Sequence, residues 1–132
     1  MTEADTAPMK IYLSCDSAAK SLGAEQVAQA ITQEAQARGM TVDLLRTGSR
    51  GMVWLEPLVE VETPEGRMAF GPMTPEDVSA LFEDGHEKAL GLTEELDWMK
   101  RQTRLTFARC GIIDPLSLTD YETHGGLTGL RR

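Results

Sequence analysis

Apolar and polar residues change period along this chain, and the changes mark its elements. Val59 and Val61 alternate with Glu60 and Glu62, and Met68 and Phe70 flank Ala69. A period of two is that of a half-buried strand. Between these runs, Thr63-Pro64-Glu65-Gly66 carries turn chemistry, with Pro64 pre-setting φ and Gly66 closing the turn. The pair therefore reads as a hairpin. Gly71-Pro72-Met73 leads out of it to Thr74, a helix cap with Pro75 at the first position and Asp77 near capping-box spacing. Val78, Leu81 and Phe82 then line one helical face.

Upstream, Met9 to Ser14 reads as a short strand through Ile11, Tyr12 and Leu13, and Asp16 to Ser21 as a polar loop. A helix is expected from about Leu22 to Arg38, with Ala24, Val27, Ala28, Ile31 and Ala35 as its apolar stripe and Gly39 just past its end. The small residues on that stripe suit close packing on a sheet. Met40 to Leu45 is the second strand. Strand–helix–strand implies parallel pairing through a crossover. The predicted order is β-α-β-β-α, a thioredoxin-like α/β fold with a mixed four-stranded sheet and flanking helices.

Beyond Phe82 the pattern loosens. Leu90 to Met99 is a short excursion with a helical turn at Thr93-Glu94-Glu95. A short helix is expected near Leu118, broken by Gly125-Gly126. Leu105, Phe107, Ile112, Ile113, Leu116, Leu118, Tyr121, Leu127 and Leu130 lie beyond the point where the small domain should be complete. Apolar residues in a tail need cover. They either fold back on the domain or lead into a following one. The expected organisation is a tail at 1–8, a thioredoxin-like domain at 9–90 and a linker at 91–132.

At 132 residues the chain is one domain by the usual prior. Its formal net charge of −8 gives no basic face for nucleic acid. Lys100, Arg101, Arg104 and Arg109 form its one basic cluster, with no acid among residues 100–110. No apolar run approaches the ~20 residues of a membrane span, and the N-terminus does not read as a signal peptide. Two cysteines, Cys15 and Cys110, make no disulfide framework, which fits reduced thiols in the cytoplasm.

The candidate chemistry is sparse. Cys15 reads as a ligand remnant, a reactive thiol or a strand-end filler, and Cys110 beside Arg109 mainly as filler. His86 and His124 have no metal spacing. The glycines of Gly48-Ser49-Arg50-Gly51 and Gly125-Gly126 make only weak phosphate-loop patterns. Glu60 and Glu62 read as a solvated strand face. Trp54 is either core or a docking anchor, and together with Arg50 in an exposed loop it suits an interface. Pro57 stands just ahead of the hairpin.

Residues 9–90 resemble the thioredoxin-like [2Fe–2S] ferredoxin domain of respiratory NADH dehydrogenases and related hydrogenases and formate dehydrogenases. The stretch Arg104-Leu105-Thr106-Phe107-Ala108-Arg109-Cys110-Gly111-Ile112-Ile113-Asp114-Pro115-Leu116-Ser117-Leu118, with Asp120-Tyr121 and His124-Gly125-Gly126, resembles the start of the flavin-binding, NADH-oxidising subunit of those enzymes. The combination is most similar to the beta (diaphorase) subunit of soluble, molybdenum-containing, NAD-dependent formate dehydrogenase.

The resemblance implies a parent subunit with FMN, a [4Fe–4S] centre and an NAD site, none of them within these residues. It also implies a following flavin domain. The partners it implies are a ferredoxin-like iron–sulfur subunit and a molybdenum-containing catalytic subunit. Pro57 sits where thioredoxin-like folds often carry a cis proline. The family's ferredoxin pattern has four cysteine ligands, of which only Cys15 matches here. The second falls at Ala19 or Lys20. The later Gly-Cys-x-Gly-x-Cys pattern reads as Gly48-Ser49-Arg50-Gly51-Met52-Val53. Arg50 and Lys20 are cations and Val53 cannot ligate, so the expectation is a fold without its cluster. Alternatives are a [2Fe–2S] carrier and a stand-alone assembly protein.

Overall fold

A computed structural model describes residues 7–84 and 86–132. Two-residue alternation places Ile11 and Leu13 on one face of strand β1 (Met9–Ser14) and Tyr12 on the other. β1 pairs in parallel with β2 (Val42–Thr47), Ile11 opposite Leu44. On its other side it pairs antiparallel with β3 (Val59–Thr63), Ile11 opposite Val61 and Tyr12 opposite Glu60. The hairpin turns through Pro64-Glu65 into β4 (Gly66–Phe70), Glu60 opposite Ala69 and Glu62 opposite Arg67. The Thr63 hydroxyl donates to the Gly66 carbonyl at 2.7 Å across this turn.

The sheet has five strands, not the four expected. Ala89–Leu92 forms β5, antiparallel to β4, giving the order β2-β1-β3-β4-β5. Its Ala-Leu-Gly-Leu sequence has too little alternation to announce a strand, and only the open edge of β4 creates it. The expected boundary at 90/91 falls inside this strand. The expected tail lies partly at residues 1–6, outside those described.

The polar stretch before the long helix is also more ordered than expected. Asp16 caps a short helix α1 (Ser17–Ser21), its carboxylate accepting from the Ala19 amide at 3.0 Å. Gly23, at φ 102°, separates α1 from α2 (Ala24–Arg38). Ala24, Val27, Ala28, Ile31 and Ala35 are all buried, so the predicted stripe is the contact face. It packs with Ile11, Leu13, Val59 and Val61 of the sheet and with Val78 and Leu81 of α3 (Val78–Leu81). Thr74 and Asp77 form the capping box ahead of α3, the Asp77 carboxylate accepting from the Thr74 amide and hydroxyl, each at 2.8 Å. The Glu56–Pro57 bond is cis, and so is Gly71–Pro72.

The other sheet face carries Tyr12, Glu60, Glu62, Arg67 and Ala69. A smaller core of Met52, Leu58, Ala69 and Met99 sits there, with Leu55, Leu90 and Leu96 against it. Met99 comes from α4 (Asp97–Lys100), which follows a 3-10 turn at Thr93–Glu95. The last helix is α5 (Leu118–Thr123), its Ser117 cap accepting from Asp120. No described helix is long and apolar enough to cross a membrane.

Candidate functional site

The Gly48–Pro57 loop crosses the second sheet face, and its side chains divide sharply between inward and outward. Ser49 starts the division: its hydroxyl accepts from the Gly51 amide at 2.9 Å and donates to Glu56 at 3.2 Å. Met52 points inward and is buried. A 3-10 turn at Val53–Leu55 then carries Val53 and Trp54 outward. Trp54 is 57% exposed and meets Trp98 of α4 edge to face, ring centroids 5.1 Å apart.

Arg50 does not project from an exposed loop as expected; it is 4% exposed. Its Nη2 and Nε donate to the two carboxylate oxygens of Glu60 at 2.8 and 3.2 Å, and Nη1 donates to Glu94. Burial opposes the Arg50 charge, and the Glu60 and Glu94 carboxylates outweigh it and hold the guanidinium above its ordinary pKa. Glu60 is correspondingly 3% exposed, which corrects its reading as a solvated strand residue; Glu62 alone is exposed. Two-residue alternation cannot distinguish a charge facing water from one facing a buried partner.

The C-terminal segment lies over this pair. At Gly111, φ is +82° and an added Cβ would sit 2.6 Å from Arg50 Cδ and 2.7 Å from Cγ. Glycine thus lets the backbone cross directly over the arginine stem. Arg67 holds the same place from β4. Its Nη1 and Nη2 donate to the Gly111 and Ile112 carbonyls at 3.0 and 2.8 Å, and its guanidinium lies 3.4 Å from the centre of the Tyr12 ring. The Tyr12 hydroxyl donates to Glu62 at 2.7 Å. Burial, then this bond to an acid, push the Tyr12 phenol up to about 12. Ile113 is buried as a result, whereas Leu105, Phe107, Leu116, Leu118 and Leu130 stay exposed.

A cleft of about 740 Å³ lies between the loop and this segment, lined by Asp16, Ser49, Gly51, Trp98, Phe107 and Cys110 among others. Cys15 and Cys110 are free thiols, each partly buried. The ferredoxin pattern sets Ser49 and Val53 opposite its two later cysteines. Ser49 is engaged with Glu56, and Val53 is an exposed hydrocarbon. Lys20 and Ala19 lie on α1, and Ala19 is buried. Cys15 is therefore the one thiolate donor among these positions, a set that does not fit a [2Fe–2S] cluster. Among the described residues, no group of three or more His, Cys, Asp or Glu side chains is placed to hold a metal ion.

Glu56 is a second buried carboxyl. It accepts from the Leu58 amide at 2.9 Å and from Ser49, and no described cation pairs with it. Burial raises its pKa above the ordinary carboxyl value against those two hydrogen bonds. His86 serves locally: Nδ1 accepts from the Lys88 amide and Nε2 lies 3.1 Å from the Asp77 carbonyl. The sequence singles out Arg50 and Trp54 as a joint interface pair, but the structure separates them, Arg50 buried and Trp54 exposed. Glu60 reads there only as solvated, and Arg67, Trp98 and Gly111 are not singled out. Gly111, inside an otherwise side-chain-rich run, is the one that carried a signal.

No family model matches the chain. No curated protein matches it either. Among solved structures it is similar to a thioredoxin-like [2Fe–2S] ferredoxin from Aquifex aeolicus, at 23% identity and a TM-score of 0.47, over 58% of this chain and 77% of that one. The wild-type form of that ferredoxin at 1.5 Å matches at 21% identity and a TM-score of 0.46, over 56% and 81% of the two chains. A cysteine-to-serine variant of it matches at 23% and 0.46, over 57% and 83%.

Proposed function

We propose that this chain is a docking domain of the beta subunit of an NAD-dependent formate dehydrogenase and carries no cluster of its own. On this reading the parent subunit passes electrons from formate oxidation through iron–sulfur centres and FMN to NAD. The domain holds the ferredoxin-like and molybdenum-containing subunits at electron-transfer distance from its neighbours. It works in the cytoplasm.

The observation that carries the reading is the commitment of Arg50. In a cluster-binding loop this stretch would direct sulfur donors at iron. Here it directs a guanidinium into Glu60 and Glu94 and so rigidifies the loop. That rigid loop then presents Val53 and Trp54 outward, which suits recognition of a protein surface. The resemblance of residues 104–126 to the start of a flavin subunit supplies the choice of enzyme.

The test is an affinity tag on the native gene product in its source cells. The expected result is a species several times heavier than 14.5 kDa that co-elutes with formate-dependent NAD reduction. A native species of this size, free of that activity, would overturn the reading. Two irons per chain with a visible absorption band would make it a [2Fe–2S] carrier instead; their absence would leave a stand-alone assembly protein.

A further inference from the structure

Both tryptophans of the chain stand together on one surface, and apolar clefts open on either side of Trp98. One is the 740 Å³ cleft already described, with Phe107 and Leu105 on its far wall. The other, of about 400 Å³, is walled by Trp54 and Trp98 over Met52, Leu55, Leu90 and Leu96. Trp98 is 48% exposed and Leu105 83%, so the ridge and its borders face solvent. Apolar area of this kind, with two aromatic anchors at its centre, is the composition of a protein-recognition patch.

The charge around the patch identifies what fits it. From Trp98 to Ile113 the chain has Lys100, Arg101, Arg104 and Arg109 and no acid, although the whole chain carries −8. Arg101 lines the second cleft and forms no ion pair among the described residues. Arg104 lines the first and, among the described residues, makes only a long 3.4 Å bond to the Cys110 carbonyl. Lys100 meets Glu95 at 3.1 Å in an exposed pair that a stronger acidic partner would displace at little cost. Two acids line the patch, Asp16 in the first cleft and Asp97 in the second.

We propose that the Trp54–Trp98 ridge is the docking surface, and that its occupant is an acidic protein segment carrying an aromatic or branched aliphatic anchor. The anchor enters the cleft beside Trp98, and the flanking carboxylates meet Arg101 and Arg104. A basic partner offers Arg101 and Arg104 no counter-charge. The assignment rests on the docking role proposed above and specifies its surface and partner chemistry.

The probe is a synthetic peptide with a Phe-Leu pair between two runs of four glutamates, titrated into the full chain. A second peptide has lysines in place of the glutamates. Because Trp54 and Trp98 are the chain's two tryptophans, their fluorescence reports the site directly. The expected result is saturable binding of the acidic peptide alone, weakened severalfold between 0.05 and about 0.5 M salt. Calorimetry should show at least tenfold weaker binding for Trp54→Ala and, separately, for the surface variant Arg101→Glu, each with unchanged circular dichroism.

Equal binding of the lysine peptide, no saturation at millimolar acidic peptide, or unchanged affinity in Arg101→Glu would each overturn the proposal. So would self-association that Trp98→Ala abolishes, since a second copy would then be the occupant. Peptide failure with intact co-elution of dehydrogenase activity would sink this surface and leave the docking role standing. Peptide binding without that co-elution would do the reverse.

Discussion

Arg50 and Glu60 meet inside the protein as a two-pronged ion pair, Nη2 to Oε1 at 2.8 Å and Nε to Oε2 at 3.2 Å. The pair joins a loop to the centre of the sheet, and the C-terminal segment closes over it at Gly111. Glu60, Glu94 and Gly111, from three separate stretches, thereby converge on one arginine side chain.

Removing one partner should be far worse than removing both. Arg50→Met leaves Glu60 buried without a cation, a loss of roughly 3–5 kcal/mol. Glu60→Leu leaves Arg50 with Glu94 alone. The double variant Arg50→Met with Glu60→Leu replaces two charges by hydrocarbon and should recover most of that loss. Urea denaturation of the four proteins tests this; equal destabilisation in single and double variants would contradict the pair's role.

Gly111→Ala should loosen the C-terminal segment. The alanine is strained at φ +82°, and its Cβ drives into the arginine stem, together about 1–3 kcal/mol. Trypsin should then cut at Arg104 and Arg109 several times faster than in the parent chain. Unchanged cleavage would mean that the segment is held elsewhere.

Arg67→Lys keeps the charge but loses the planar fork that reaches two carbonyls and covers Tyr12. The loss is on the order of 1–2 kcal/mol of local stability. Amide exchange around residues 111–114 should accelerate about tenfold. Exchange in α2, on the opposite sheet face, should not change.

Glu56 and Asp77 should tilt the pH profile in opposite directions. Burial raises the folded pKa of Glu56, so its contribution is complete below the unfolded value and is lost as pH rises through the folded one. The Lys88 ammonium, then the Thr74 groups, lower Asp77 to about 2 against its partial burial. Its contribution is present above the unfolded value of 3.8 and is lost as pH falls toward 2. Glu56→Gln keeps an oxygen acceptor for the Leu58 amide, and should flatten the decline above the ordinary carboxyl range without altering the acid limb. Asp77→Asn should flatten the acid limb alone. Melting temperatures from pH 2 to 8 separate the two.

Local pattern alone was enough for the parts of this protein whose physics is local. The spacing of Ala24, Val27, Ala28, Ile31 and Ala35 determined a helix and its buried face. The alternation at Val59–Glu62 with Pro64 and Gly66 determined a hairpin, and Thr74 with Asp77 determined a cap. These elements in this order lead to the mixed α/β sheet. Only the tertiary structure decided the rest. Strand β5 exists because β4 has an open edge, and Ala89–Leu92 has no pattern that announces it. Whether Glu60 faces water or an arginine depends on where a loop ten residues earlier is laid, and the burial of Arg50 depends on a glycine 61 positions later. Trp54 and Trp98 become one surface because α4 returns beside the 3-10 turn at Val53–Leu55. Side-chain period reports which face a residue occupies, whereas long-range chain packing decides what that face meets.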